Sequence, residues 1–535
     1  MLFVGAMAVA AAPEPTFTPE RVRAHVEFLA DDLLEGRDTG SRGHEIAARY
    51  VATQFESYGL RPGGEGGGWF QQVTLQKTVR GANRGSVSII GPKGESNFEH
   101  AHDVLVSLSP VEAQLDVTAP LVFAGYGIED AKLGLNDYRG LDVKGKIVVV
   151  LRGFPKGLPS EEGAHVAAMK STVAQAHGAI GIVSVATLQS AKAQPWERSL
   201  QYADDPGYTW VGADGVPFQE APAIRAGAAL HGPAADAAFA GAARTLADVR
   251  NEADQPKGMP RGFPLKTRIR IKSESSSSRV TSPNVIGILP GADPKLAPEY
   301  VVLSAHLDHL GIKDAGGNDP DHIYNGALDN AAGIATLLEV ARAAGAAAQK
   351  PRRSMLFLAS TAEEKGLLGA DYYARHPTVP IKQIVGNVDL DMPLLLYSFT
   401  DVIAFGANHS TIGAQVAQAV APMNIQLSPD PFPEQGVFTR SDHYMFVRQG
   451  VPAVFLATGF ANGGGEIWGK FLGGAYHSPH DDLKQAIDWQ SGARFAEVNY
   501  RITRAMADAD GPPRWIAGDF FGDTFAPGAA RAPKP

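Results

Sequence analysis

Two glutamates stand side by side in "STAEEKGLLGA" (360–370), directly after the apolar run "SMLFLA". Adjacent carboxylates repel one another, so Glu363 and Glu364 need a reason to sit where a strand gives way to a helix. Other short stretches supply one. "YVVLSAHLDHLG" sets His306, Asp308 and His309 behind another apolar run. "YNGALDNAAG" puts Asp329 just before a helix, "GNVDLDMP" carries Asp389 and Asp391, and "AYHSPHDDL" supplies His477. Carboxylates gathered in one place repel unless cations sit among them. The chain contains no cysteine. Disulfides and thiolate metal sites are therefore excluded, and the donors left are imidazole and carboxylate, a hard-to-borderline set that suits Zn²⁺ best. Two imidazoles and several carboxylates suffice for two ions that share one bridging carboxylate. One glutamate of the pair can then be a ligand. Its neighbour, not being one, stays available as a general base toward an activated water.

Something must bring these residues together. From residue 280 onward, the apolar strands "NVIGILPG", "YVVLSAH", "SMLFLAST", "IVGNVDLDM", "DVIAFGA" and "VPAVFLATG" alternate with helical stretches such as "NAAGIATLLEVARAAGAAA" and "FAEVNYRITRAMADA". Near-continuous apolar strands in that alternation predict an α/β fold: a buried, mixed, mostly parallel sheet sandwiched by helices. In such folds ligands bind beyond the carboxyl ends of the strands, which is where the polar residues stand. If "IVGNVDLDM" alternates throughout, Asp389 and Asp391 point the same way, so periodicity does not choose between them.

Upstream, Thr18-Pro19 opens a helix, and "HEIAARYVATQFESYGL" reads as a second, amphipathic one ending at Gly59. Between 104 and 260 the texture changes. "APLVFAGYGI", "NDYRGLDVKGKIVVVLRG" and "MKSTVAQAHGAIGIVSVAT" combine short apolar strands, a helix and many glycines, which reads as a separate inserted α/β module. "SESSSS" (273–278) reads as a loop or an exposed strand end. The expected organisation is a leader remnant at 1–15, an N-terminal part at 16–103, the module at 104–260, the metal-bearing part at 261–510 and a loosely held tail at 511–535.

Bulk properties narrow the function classes. A chain of 535 residues exceeds one ordinary core. Its net charge of −9 argues against nucleic acid or an anionic membrane as the main partner. "MLFVGAMAVAAAPEP" reads as the end of a secretory signal cleaved near Ala12, although the first basic residue is Arg21. The expected location is therefore periplasmic or secreted, and no other apolar run is long enough to span a bilayer. "RPGGEGGG" lacks the features of a phosphate loop, and no Gly-x-Ser-x-Gly elbow supports a serine hydrolase.

"AHLDHLG", "YNGALDNAAG", "STAEEKGLLGA", "DLDMP" and "YHSPHDD" resemble, in order and spacing, the metal-site motifs of the M28 di-zinc peptidases, of the zinc-exopeptidase (phosphorylase/hydrolase-like) fold. "DLLEGRDTGSRGHEIAARYVATQF" is similar to that family's N-terminal region, and "LVFAGYGI" with "DYRGLDVKGKIVVV" is similar to a protease-associated (PA) domain. The resemblance implies two Zn²⁺ per chain. His306 and Asp391 would bind one, Glu364 and His477 the other, and Asp329 would bridge both. Glu363 would be the general base and Asp308 would orient His306. Asp391 is preferred over Asp389 because it precedes Met392, as in the family's Asp-Met pattern. Asp442, His443 and Tyr444 in "SDHYMFVRQGVPAVF" resemble a segment near the substrate pocket, whereas His309 reads as structural. Leu328 and Pro393 depart from the family's usual Asp and Gly. The implied activity is that of an aminopeptidase on peptides. The rivals are a carboxypeptidase or glutaminyl cyclase on the same fold, and a non-catalytic receptor-like binding protein.

Overall fold

The longest apolar runs become the central strands. In the computed structural model, which describes residues 15–313 and 319–534, the chain divides into two units. One holds residues up to 73, 282–431 and 441 onward; the other holds 74–281 with 432–440.

In the first unit, Tyr300–His306 lies between Ser354–Ser360 and Ile384–Asp389 and is parallel to both. Ile384–Asp389 pairs in parallel with Ala453–Thr458. Antiparallel neighbours flank this set: the Val285–Leu289 end of the strand Phe263–Leu289 runs against Ser354–Ser360, and Asp401–Phe405 runs against Ala453–Thr458. Every residue of Ser354–Ser360 and of Ala453–Thr458 is buried, as expected of strands covered on both faces. Helices Pro19–Leu29, Ala332–Ala346 and Trp489–Asp508 pack on one another, and Leu368–Arg375 packs on the short helix His443–Val447. The result is a mixed, mostly parallel sheet flanked by helices. Among the described residues, no helix is long and apolar enough to cross a membrane.

The second unit has its own parallel set, Gln114–Phe123, Ile147–Leu151, Gly181–Val185 and Ala226–Leu230 in that order. Its core includes Val149, Val183, Ala228 and Ala235. This unit is larger than the 104–260 module read from the sequence. It starts at Thr74, ends at Thr281 and takes in 432–440. The reason is visible in Phe263–Leu289, a strand of 27 residues that serves both units, so no turn or break in its pattern marks the boundary. "SESSSS" lies within it. Ser273 and Ser275 are buried, Glu274 between them is half-buried and Lys272 and Ser276 on either side are exposed, an alternation that a run of serines conceals.

The C-terminal segment is also a correction. Trp515 is 2% exposed and Phe521 0%, the Trp515 indole N–H donates to the carbonyl of Gly450 at 2.9 Å, and Phe520–Phe525 is a helix. Four aromatic residues, Trp515, Phe520, Phe521 and Phe525, give this tail apolar surface that its Pro, Gly and Ala content masks, so it packs rather than hanging loose.

Candidate metal centre

Three of the parallel strands pass a polar residue to the same rim. His306 is the last residue of Tyr300–His306. Glu363 and Glu364 occupy the turn between Ser354–Ser360 and the helix Leu368–Arg375. Asp391 follows the end of Ile384–Asp389, and Asp329 lies in the turn that leads into Ala332–Ala346.

Asp329 is the pivot. Its Oδ1 is 3.2 Å from His306 Nε2, and that nitrogen is 3.1 Å from Asp391 Oδ1. Its Oδ2 is 3.2 Å from His477 Nε2, which lies 3.3 Å from Glu364 Oε2. One carboxylate therefore offers one oxygen to each of two His–carboxylate sets. The structure brings together all five residues expected as ligands, drawn from five separate segments. His309 joins them: its Nδ1 is 2.6 Å from Glu364 Oε1, and His309, Asp329 and Glu364 offer atoms within 4.8 Å of one another. That is closer to the site than a purely structural histidine would be.

The electrostatics follow from packing acids together out of water. Burial alone would lower the His306 pKa, but the Asp391 and Glu363 charges and its bonds to Asp329 and Asp391 hold it well above the ordinary imidazole range. For Glu363, burial raises the carboxyl pKa well above normal, and the negative charges of Asp391, Glu364 and Asp442 add to the rise. Burial would likewise raise Asp329, but its bonds to His306 and His477 pull it well below. A cluster with this demand for positive charge, made of imidazole nitrogens and carboxylate oxygens, fits two borderline divalent cations. The His306 Nδ1 is engaged by the main-chain carbonyl of Asp308 at 3.1 Å, which leaves Nε2 facing the carboxylates, as a ligating histidine requires.

Asp308 departs from its expected role. Its carboxylate does not touch the His306 ring. Instead Oδ1 accepts the Glu363 main-chain N–H at 3.1 Å and Oδ2 accepts the Thr39 hydroxyl at 2.9 Å. The side chain thus fixes the turn that carries Glu363, and the main chain orients His306. Glu363 itself has no side-chain hydrogen-bond partner among the described residues. Asp389 and Asp391 are told apart because the strand stops between them. Asp389 accepts from Ser304 Oγ at 2.5 Å, whereas Asp391 turns one oxygen to His306 and takes the Ser441 hydroxyl on the other at 2.8 Å.

The residues expected near the substrate pocket are as buried as the candidate ligands. Asp442, His443 and Tyr444 are 1%, 0% and 4% exposed. The helix His443–Val447 packs against Leu368–Arg375, with Tyr444 against Phe521, and the Asp442 carboxylate acts on Glu363. Ser360 donates to one oxygen of Asp442.

Several supports had no signal in the sequence. Asp481 accepts the N–H groups of Leu328 and Asp329, both at 2.9 Å; Leu328, the departure from the family pattern, uses its main chain here and buries its side chain. Arg37 is 1% exposed and donates to the carbonyls of Leu29, Leu307 (3.0 Å), Asn325 (2.7 Å) and Gly326 (3.1 Å), tying the His306 and Asp329 loops together. Tyr476 stacks on His477 with ring centroids 3.9 Å apart. Burial and the nearby carboxylates of Asp329 and Glu364 push its phenol pKa upward, so it stays protonated. In the sequence, adjacency to His477 is the one signal for Tyr476, and nothing in the spacing of Arg37 marks its role.

Known proteins share this arrangement of elements. The family described as Peptidase family M28 matches residues 284–503, and the PA domain matches residues 117–221. The leupeptin-inactivating enzyme 1 of Streptomyces exfoliatus is 28% identical over 253 residues, 44% of this chain and 52% of that protein. A probable leucine aminopeptidase 2 of Aspergillus oryzae is 28% identical over 225 residues, 39% of this chain and 42% of that one. The matches thus span about half the length of these relatives or less. The solved structure of an aminopeptidase from Aneurinibacillus sp. strain AM-1 shares the fold, with a TM-score of 0.52 at 20% identity over 93% of this chain and 95% of that one.

Proposed function

Residues 284–503 match the model of peptidase family M28, and on that premise we propose that the chain is a zinc-dependent exopeptidase, an aminopeptidase releasing N-terminal residues from peptides. One observation carries the reading: Asp329 faces two His–carboxylate sets with its two oxygens, and Glu363 beside them keeps an unbonded carboxylate. His306, Asp329 and Asp391 would hold one Zn²⁺; Asp329, Glu364 and His477 would hold the other. When bound, the ions would supply Lewis acidity toward water and the scissile carbonyl.

The chain's own residues supply the proton transfers. Glu363 takes a proton from the attacking water as the C–O bond forms, and returns it to the amine nitrogen as the C–N bond breaks. A carboxyl pKa raised by burial suits a group that must do both. Asp308 keeps Glu363 in place through the main-chain N–H. The protonated Tyr476 can donate toward the negative oxygen of the tetrahedral intermediate. We place this activity outside the cytoplasm. The residues read as a signal remnant, through Ala12, lie outside those described.

Purified protein should hydrolyse aminoacyl anilides, contain about two zinc ions per chain, and lose activity to a chelator and regain it with Zn²⁺. Glu363→Gln should lower kcat by about 10²–10⁴-fold while metal content stays unchanged. Chelator-resistant hydrolysis, or normal turnover by Glu363→Gln, would refute the mechanism.

A further inference from the structure

Away from the carboxylate centre, a cavity of about 590 Å³ lies wholly within the 74–281 unit, inside the size range of small-ligand sites, about 300–1,000 Å³. Leu105, Leu108, Val150 and Ile182 are among its apolar walls. Its charge is unbalanced. Lys170, 8% exposed, donates through Nζ to the carbonyls of Leu151 and Gly153, both at 2.6 Å, and no carboxylate pairs with it among the described residues. Arg152 also lines the cavity, is half-buried, and has no side-chain hydrogen bond or ion pair among the described residues. Asp137, which is not part of the lining, acts favourably on Lys170, and the nearby Arg152 guanidinium acts against it. Like charges in a partly desolvated space repel, and an unpaired cation there is costly.

The other charged groups in the lining do not cancel them. Arg80 gives its guanidinium to the carbonyls of Ala203 and Arg84, both at 3.2 Å, and of Val106. Asp205 is the single acid in the lining, and His100 uses its ring on Ala203 and Val106. The hydroxyls of Ser107, Ser171 and Ser184 line the same space and have no side-chain hydrogen bond among the described residues. An unspent guanidinium fork, an ammonium and three hydroxyl donors are what a carboxylate accepts from.

We propose that this cavity is a carboxylate site that takes the free C-terminus of a peptide ending in an apolar residue, with Arg152 and Lys170 neutralising the carboxylate and the apolar walls receiving the last side chain. The choice of a peptide as bearer of the carboxylate rests on the peptidase reading. The site itself does not involve the metal centre, so the two can fail separately.

The test is calorimetric titration of the full chain with N-acetyl-Ala-Leu, which an aminopeptidase does not cleave, and with the same dipeptide as its C-terminal amide. The acid should bind and the amide should bind at least tenfold more weakly. A chelator should leave binding unchanged. Arg152→Ala should weaken binding at least tenfold without altering anilide hydrolysis, and Arg152→Lys should retain part of it. Ser184→Leu, which fills the cavity, should abolish binding and gives an independent check if Arg152→Ala folds poorly. Equal binding of acid and amide, no binding at millimolar peptide, or loss of binding on chelation would overturn the proposal. Decanoate binding where the peptide does not would overturn the peptide as occupant.

Discussion

Replacing Asp308 separates two jobs that its carboxylate could do. The residue is 0% exposed; one oxygen accepts the Glu363 N–H at 3.1 Å and the other the Thr39 hydroxyl at 2.9 Å. Asp308→Ala strands both donors. An unsatisfied buried N–H costs about 1–3 kcal/mol and the loss of the hydroxyl's bond about 1 kcal/mol, so the variant should be less stable by about 2–4 kcal/mol. Asp308→Asn keeps an oxygen for the Glu363 N–H, and the Thr39 hydroxyl can turn to accept from the new amide, so its loss should stay below about 1 kcal/mol. Catalysis should follow the same order. A turn released by the alanine lets Glu363 shift, and a misplacement of about 1 Å is enough for roughly a 10²-fold loss of rate, whereas the asparagine variant should retain most of its kcat. Zinc affinity should hold in both, because the group that holds His306 Nδ1 is the main-chain carbonyl of Asp308 at 3.1 Å, which neither substitution removes. Urea unfolding, anilide kinetics and zinc titration read the three quantities. If both variants lost zinc affinity by tenfold or more, the effect expected when a ligand's orienting partner is removed, then the side chain acts on His306 and the division of labour argued here is wrong.

Two further outcomes follow from buried charge. Arg37→Ala leaves at least three main-chain carbonyls near the site without their donor; unfolding should show a loss of about 3–5 kcal/mol, and Arg37→Lys, which lacks the fork, should recover only part of it. Lys170 gives a pH signature. Burial lowers its pKa to about 7, with Asp137 raising it and Arg152 lowering it. Below about pH 7 both folded and unfolded chains carry the proton and the penalty on the buried cation is full. From there to the unfolded value near 10.4 the folded chain has shed a proton that the unfolded chain keeps, so stability should rise with pH, by about 5 kcal/mol at most. Lys170→Met should flatten that rise in urea melts taken between pH 6.5 and 9.5.

The residues legible in the sequence and those that were not differ in what the physics demands of them. A ligand or a base must be one of a few side-chain types, and a strand end is where a parallel sheet presents it; His306, Asp329, Glu363, Glu364, Asp391 and His477 could therefore be named from type and place. Their supports obey no such rule. The carbonyl of Asp308 that holds His306 belongs to the main chain and would be there whatever the side chain. Arg37 reaches Asn325 and Gly326 across almost three hundred residues of sequence, a distance over which no local pattern extends. The same limit explains the unit boundary. Strand periodicity records which face is buried, and it continues unbroken through Phe263–Leu289 while the partners change from Gln114–Phe123 to Ser354–Ser360. It also explains Asp442, His443 and Tyr444: three polar-tipped residues in a row suggest a surface, yet all three are buried, with Ser360 donating to one oxygen of Asp442, and only the fold shows that neighbour. Chemistry confined to few residue types is written locally; whatever a backbone carbonyl or a distant arginine can do equally well is settled only when the chain closes on itself.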